Sequence, residues 1–462
     1  MVPASVGPPA ASRVATHPPP RRLFGTDGVR GPVGEVITPE LALALGRAAV
    51  EVARTSEPRV LIVRDTRESG PMLESALAAG VAAAGGHALL GGVLPTPACS
   101  LLVPHFGFDL GAVVSASHNP HEDNGIKFFD ADGRKLSDHE EARVEAALET
   151  SPAYASGAGG RPGPGRLEAL HGAAADYLRA LERRFEGLEL AGRRILLDCA
   201  NGAAHRVGPE ILRRLGADVE VIAAEPDGRN INAGCGSTHV EALGERVARG
   251  GFDAGFAFDG DADRVLGADR TGAIVDGDEL IALAALHLSA AERLPGGGVA
   301  VTVMTNYGFH QAMGSAGIEV ATTPVGDRHV LLELERRGWE LGGEQSGHVI
   351  DTSFAASGDG IAAALLALEA LGGRDLAARD AMEKLPQRLS NVRVRNREAI
   401  ADAPAVWEAV EREHAALADR GRVLVRPSGT EPVVRVMVEA PSGEECEATL
   451  ARLVAVVEHE IS

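Results

Sequence analysis

Aromatic residues make up only 3% of this 462-residue chain, with 2 Trp and 3 Tyr, so its cores must be built from Ala, Val, Leu and Ile. Cysteine is equally scarce. Cys99, Cys199, Cys235 and Cys446 stand far apart, with no CxxC pair and no zinc spacing, which argues against a disulfide framework or a structural zinc and fits a reducing cytosol. Basic residues are in deficit, 45 Lys and Arg against 65 Asp and Glu, for a formal charge of -20. Counterion-release binding needs the opposite excess, so nucleic acid is not expected as a partner, and an anionic ligand must be held by local donors or a metal. No apolar run reaches membrane-spanning length; even residues 41–53 are interrupted by Arg47 and Glu51. Also missing are a GxGxxG that follows a strand and opens a helix, and any GxxxxGK[ST], so nucleotide cofactors are not indicated.

What is present is 45% hydrophobic residues, 56 Gly, and length for roughly three or four domains, a composition that favours an α/β protein. One pattern occurs three times: an apolar strand, a turn, an amphipathic stretch, a glycine and a second apolar strand. Residues 60–63 lead in this way to 88–90, residues 195–197 to 219–222, and residues 299–303 to 320–323. Gly86, Gly216 and Gly317 stand where a left-handed cap would end each helix. The spacing predicts three similar α/β domains with mixed sheets. A strand, helix, two strands and helix from residue 391 predict a smaller two-layer α+β C-terminal domain after them. The expected spans are 23–172, 173–274, 275–386 and 387–462, with boundaries near Ser156 to Gly165, Gly272 to Gly277 and Pro386. The first of these segments also reads as a surface loop within domain 1. Residues 1–22, rich in Pro, Ala and Ser, read as a disordered tail rather than a signal peptide.

Several turns carry chemistry-bearing side chains. Asp259-Gly-Asp261-Ala-Asp263-Arg264 follows an apolar strand, and alternate positions of extended backbone share a side. The three carboxylates can therefore converge on a hard cation with oxygen ligands, although a D-x-D-x-D also reads as a plain acidic turn. Arg264 and Arg270 at its sixth and twelfth positions exclude an EF-hand. Ser115-Ala-Ser117-His118-Asn-Pro120 puts hydroxyls directly after a strand, suited to a nucleophile or phosphoryl carrier and equally to a turn cap. His118 and His121 have no third ligand nearby and read as solvent-facing. Residues 124–127 read as a turn with Lys127 at its end, an acid or base if desolvated and otherwise a solvated strand-end lysine. Arg426-Pro-Ser428-Gly429-Thr430-Glu-Pro432 offers a guanidinium, two hydroxyls and glycine amides, either an oxyanion cradle or a hairpin turn. Gly343-Glu344-Gln345-Ser346-Gly347-His348 offers one carboxylate, one hydroxyl and one imidazole, suited to sugar hydroxyls or to a hairpin with a buried acid.

Taken in order with residues 25–31, Gly-Thr-Asp-Gly-Val-Arg30-Gly, these motifs resemble the signature set of the α-D-phosphohexomutases over essentially the whole chain after residue 22. The resemblance implies domains around a central cleft, with Ser117 carrying a phosphoryl group. It implies one Mg²⁺ per active site, held by that phosphoserine with Asp259, Asp261 and Asp263. Arg30 and Arg264 would then stabilise charge, and Lys127 would be the general acid or base with His348 as a second candidate. Glu344 and Ser346 would hold sugar hydroxyls, while Arg426, Ser428, Gly429 and Thr430 would grip the phosphate that is not reacting. A hexose bisphosphate would serve as primer and intermediate, turning end for end in a cleft closed by a hinge before the last domain.

In the start at residues 24–31, the Val325-Gly326-Asp327-Arg328 segment and Gln345 the chain most resembles the amino-sugar branch of that family, which implies interconversion of glucosamine 6-phosphate and glucosamine 1-phosphate for the cell envelope. Mannose or glucose phosphates with the same mechanism are the alternative. His329 stands where the family commonly has Tyr. The implied setting is the cytoplasm, with a small sugar phosphate as partner, no nucleic acid, no membrane, and a homodimer as a permitted assembly. A silent sugar-phosphate-binding regulator and a serine-phosphate hydrolase are competing readings. The intact serine, aspartates and lysine oppose the first, and the second phosphate cradle opposes the second.

Overall fold

The computed structural model describes residues 23–25, 27–150, 163–428 and 432–461. The tail expected over 1–22 and most of the segment 156–165 lie outside the described residues. Four sheets follow one another along the chain. The first contains β1 (Val29–Pro32), β2 (Arg59–Arg64), β3 (His87–Val93), β4 (Leu110–Val114), β5 (Asp123–Phe129) and β6 (Leu167–Ala169), in the spatial order β1-β5-β4-β2-β3-β6. The second contains β7 (Arg194–Asp198), β8 (Asp218–Ile222), β9 (Ala254–Phe258), β10 (Val265–Asp269) and β11 (Ile274–Val275), ordered β11-β10-β9-β7-β8. The third contains β12 (Gly298–Thr302), β13 (Glu319–Thr323), β14 (Leu341–Gly343) and β15 (Val349–Asp351), ordered β13-β12-β14-β15. The fourth is an antiparallel sheet of β16 (Gln387–Arg393), β17 (Arg422–Pro427) and β18 (Val433–Glu439), with β18 in the centre.

The first three sheets share one plan. A central strand (β2, β7 or β12) lies parallel to the two that follow it, and the later of those returns antiparallel through a short loop: β4 to β5, β9 to β10, β14 to β15. The continuous apolar runs of β2, β4, β9 and β12 suit strands covered on both faces. Consequently the return loop sits each time at the carboxyl end of a parallel strand, where open α/β sheets place their ligands. The Ser115, Asp259 and Glu344 motifs occupy those three equivalent loops, and the Ser428 motif occupies the β17–β18 hairpin.

Some local expectations are corrected. Gly216 and Gly317 have the left-handed φ of a cap (96° and 72°), but in the first unit Gly85 (φ 94°) fills this role and not Gly86. Residues 124–127 are not a turn: they belong to β5, where Lys127 stands opposite Val113 in the middle of a buried sheet. Gly272 lies in the hairpin between β10 and β11, so the second sheet continues to Val275. Asp276 then caps the helix Gly277–Ala290 through a reciprocal capping box with Glu279.

One apolar core runs through the first three units, from Leu61 and Phe129 through Tyr177, Phe256 and Val299 to Leu376. The C-terminal unit has a separate core around Val392, Val406, Val436 and Leu453. Among the described residues no helix is long and apolar enough to cross a membrane.

Candidate active site

Ser117 sits in the β4–β5 loop, 1% exposed, with a left-handed backbone (φ 52°) that costs a non-glycine residue about 1–3 kcal/mol. Its surroundings impose that conformation. The Ser117 amide donates to Ser115 Oγ (2.9 Å), and Ser115 Oγ donates to Asp65 Oδ2 (2.6 Å). The Ser117 carbonyl accepts from Arg67 Nη2 (2.9 Å) and Asn232 Nδ2 (2.8 Å). The free end of the residue points into the site, where Oγ donates to Asp259 Oδ2 at 2.5 Å. His118 is not solvent-facing as expected: it is half-buried, with Nδ1 3.3 Å from Ser117 Oγ. Its burial holds the imidazole pKa below the usual value, assisted by Arg264 and Arg30.

Asp259, Asp261 and Asp263 are all buried, and one oxygen from each lies within 4.8 Å of the others. The loop reaches this arrangement by a turn and not by extended backbone, since Ala262 adopts φ 57°. Gly260 lets it press on the serine loop: a Cβ there would lie 2.5 Å from the Ser117 carbonyl oxygen. Asp261 Oδ1 and Asp263 Oδ1 are buried without a hydrogen-bond partner, the condition of oxygens available to a cation. Burial drives the Asp259 carboxyl well above its usual range, and its two sister carboxylates add to this. Burial acts in the same direction on Asp261 and Asp263, but Lys127 holds both below the ordinary value, with His348 and Arg264 assisting at Asp263. The triad can therefore hold a hard divalent metal.

Lys127, 1% exposed, donates to Asp261 Oδ2 at 2.8 Å and lies 3.2 Å from Asp27 Oδ2 and 3.7 Å from Asp263 Oδ2. Burial lowers its pKa, and nearby Arg30 and Lys135 push the same way against the aspartates. Arg30 pairs with Asp27, while its Nε is buried without a partner. The Arg264 amide donates to Asp259 Oδ1 (3.1 Å) and its guanidinium lies 3.9 Å from Asp263 Oδ1. Burial opposes the Arg264 charge, but Asp263 and Asp259 outweigh it.

The third loop closes onto the second. The Val265 amide donates to the Gly347 carbonyl (3.0 Å), and His348 Nδ1 lies 3.7 Å from Asp263 Oδ1 while Nε2 accepts from the Gly358 amide at 3.1 Å. Glu344 is half-buried with Oε1 accepting from the Gly326 amide (2.9 Å), and Ser346 is exposed. Thus Ser117, the aspartates, Lys127, Arg30, Arg264, His348 and Glu344 form one contiguous cluster drawn from three sheets. Arg426 and Ser428 sit at the end of β17 in the fourth sheet, with Arg426 opposite Arg435 in register and 3.7 Å from Met304 Sδ. Gly429 and Thr430 lie outside the described residues.

Sequence reasoning missed Asp65, Arg67, Asn232, Asp27 and Lys135. A signal for the first pair existed: the polar run Asp65-Thr66-Arg67 follows the buried strand β2 directly. Fully buried Arg67 spends its guanidinium on Asp65 and on the carbonyls of Ser117, Asn119, Pro120 and Asp123, so it moulds the serine loop from beneath.

Sheet order, loop placement and this cluster define a phosphohexomutase fold. Residues 21–155, 175–272, 276–389 and 389–456 match, in order, the phosphoglucomutase/phosphomannomutase alpha/beta/alpha domains I, II and III and the C-terminal domain. The chain belongs to the phosphoglucomutase/phosphomannomutase family. It is 49% identical over 445 residues to the phosphoglucosamine mutase of Desulforudis audaxviator, covering 94% of this chain and 97% of that one. Among solved structures, a phosphoglucomutase/phosphomannomutase family protein from Burkholderia thailandensis superposes with a TM-score of 0.76 at 22% identity, covering 94% and 97% of the two chains. The N-acetylphosphoglucosamine mutase of Aspergillus fumigatus, solved with GlcNAc-6P and magnesium, gives 0.65 at 19% identity and 96% of each chain.

Proposed function

We propose that the protein is a cytosolic phosphoglucosamine mutase, interconverting glucosamine 6-phosphate and glucosamine 1-phosphate through a bisphosphorylated sugar. The observation that carries this reading is the Ser117 hydroxyl, held on a strained loop at 2.5 Å from Asp259, one of three converging aspartates of which a second, Asp261, pairs with Lys127. Its support at the level of substrate is the whole-length similarity to phosphoglucosamine mutases.

In this reading Ser117 carries the phosphoryl group, and Asp259, Asp261 and Asp263 hold Mg²⁺. When bound, the ion supplies neutralising charge to the phosphoryl oxygens. Lys127, whose burial eases loss of its proton, takes the proton of the attacking sugar hydroxyl as its oxygen bonds to phosphorus and the Ser117 Oγ–P bond breaks. Arg30 and Arg264 face the transferring group, and His348 stands by as a second proton carrier. Arg426, Ser428, Gly429 and Thr430 hold the phosphate that is not reacting, while Glu344 and Ser346 hold sugar hydroxyls. The bisphosphate then turns end for end, and its other phosphoryl group returns to Ser117. Gln345, in the sugar loop, is assigned to amino-sugar preference.

The test is isomerisation of glucosamine, glucose and mannose 6-phosphates, side by side with Mg²⁺ after priming with a hexose 1,6-bisphosphate. A preference for the amino sugar of at least about tenfold in kcat/KM is expected. Ser117→Ala should show no turnover on any of them. Preference for a neutral hexose moves the substrate, and near-wild-type turnover by Ser117→Ala removes the serine from its role.

A further inference from the structure

Six polar side chains form a closed ring beside the serine loop, its carboxylates and lysines alternating in charge. Lys127 faces Asp27 at 3.2 Å, Asp27 Oδ1 accepts from Lys135 Nζ at 2.5 Å, and Lys135 Nζ donates to Asp327 Oδ2 at 2.5 Å. Asp327 lies 3.6 Å from His348 Nε2, His348 3.7 Å from Asp263, and Asp263 3.7 Å from Lys127. Lys135 is the member that joins the first unit to the third: its two carboxylates lie 108 and 192 residues away in sequence and in different units.

We propose that Lys135 is a positioning residue for the transfer step, fixing Asp27 and, through it, the ammonium of Lys127 and the guanidinium of Arg30. The division of labour at Asp27 is the ground for this. One oxygen is taken by Lys135, and the other is shared by Arg30 and Lys127. A carboxylate gripped at Oδ1 cannot rotate Oδ2 away from the cations it orients, so the Lys127 ammonium keeps its place beside Asp261.

Asp327 supplies the far anchor. It opens the helix Asp327–Arg337, where unpaired backbone amides favour a carboxylate, and Lys135 keeps it well ionised against its burial. The adjacent Arg328 does not compete for it: that guanidinium goes to Glu141, Asp138 and the Leu136 carbonyl. Without Lys135, two shielded carboxylates lose their shared cation. Asp27 is then free to draw Lys127 out of line. The inference rests on the role given above to Lys127, not on which hexosamine or hexose phosphate is used.

The experiment compares Lys135→Met, Lys135→Arg, Asp327→Asn and the double variant Lys135→Met/Asp327→Asn, as full-length primed enzymes. Each is measured on whichever hexose phosphate the wild type isomerises fastest. A wrong substrate assignment therefore changes the substrate and leaves the variant ratios to decide. Lys135→Met should lower kcat about 10- to 100-fold with KM within about threefold, because misplacement and not binding is at fault. Lys135→Arg should recover most of the loss, Asp327→Asn should lose less, and the double variant should be no worse than Lys135→Met, as expected for residues acting as one unit. A rise in KM at unchanged kcat, wild-type kcat in Lys135→Met, or multiplying losses in the double variant would overturn the proposal. If Lys135→Met does not fold, Asp327→Asn decides: reduced kcat at unchanged KM and melting temperature supports it, and wild-type kcat overturns it.

Discussion

A single apolar core joins the first three units, from Leu61 to Leu376, whereas the C-terminal unit encloses its own between Val392 and Val457. Polar ties hold the fourth unit to the third: the Tyr307 amide donates to Glu439 Oε2 (2.9 Å), Arg422 to the Thr305 carbonyl (2.5 Å), and Gln311 to the Asp419 carbonyl (2.7 Å). Asn306 grips the connecting chain by exchanging two hydrogen bonds with Leu385. The difference follows the chemistry. Groups assigned to phosphoryl transfer sit on loops of the shared core, where small displacements are costly. The cradle assigned to the idle phosphate sits on the unit that can shift without opening an apolar interface.

The largest effect that would break this contrast lies beneath the serine loop. Arg67→Met leaves Asp65 buried beside Ser115 and withdraws donors from the Ser117, Asn119, Pro120 and Asp123 carbonyls. Loss of one partner from such a buried network costs about 3–5 kcal/mol. The main melting transition should fall, and kcat should drop about 100-fold as Ser117 leaves its strained conformation. Unchanged melting and turnover would show that the loop is rigid without its buried arginine.

A smaller effect sharpens the contrast from the other side. Arg422 binds Glu439, which is fully buried and also accepts from the Tyr307 amide. Arg422→Met should split calorimetric unfolding into two transitions, with the C-terminal unit melting first and the main one barely moved. The kcat/KM should fall about tenfold, because only the idle phosphate's cradle is displaced. A single shifted transition would mean that the fourth unit is as firmly joined as the others.

How much of this was legible in the sequence depends on distance along the chain. The three strand pairs, the all-apolar strands and the loops that follow them announce themselves locally, and so does the run Asp259 to Arg264. The β5 strand did not, because Asn124-Gly125 carries turn chemistry that pairing with β4 and β1 overrides. The convergence of the aspartates was anticipated for the wrong backbone: a left-handed Ala262 makes it, and no local rule calls for alanine there. The polar run after β2 marked Arg67 locally, but not its grip on carbonyls 50 to 56 residues away, and Lys135 was invisible because its carboxylates lie 108 and 192 residues away. Only the repeated sheet plan, with its loops brought to one side, explains why they meet.

The smallest effect tests the shared core itself. Asp359 is buried, caps the helix Gly360–Leu371 by accepting from the Ile361 and Ala362 amides, and accepts from Tyr177 Oη at 2.8 Å. Tyr177 belongs to the helix Ala173–Arg184 that precedes the second sheet, so this bond crosses units within the common core. Burial pushes the Asp359 carboxyl from 3.8 up to about 6. The folded protein therefore binds this proton more readily than the unfolded chain between those values. Its stability contribution falls as pH rises through that window and is level above it. Two pH units correspond to at most about 3 kcal/mol. Asp359→Asn keeps an oxygen to accept from Tyr177 and the helix amides but cannot ionise, so the variant should gain on the wild type from pH 4 to pH 7 and hold a constant difference beyond. In the Arg422→Met background, where the two transitions separate, the gain should appear only in the main one. A difference independent of pH would show that Asp359 does not titrate in this window, and a shift in the C-terminal transition would show that the two parts of the molecule share more than polar ties.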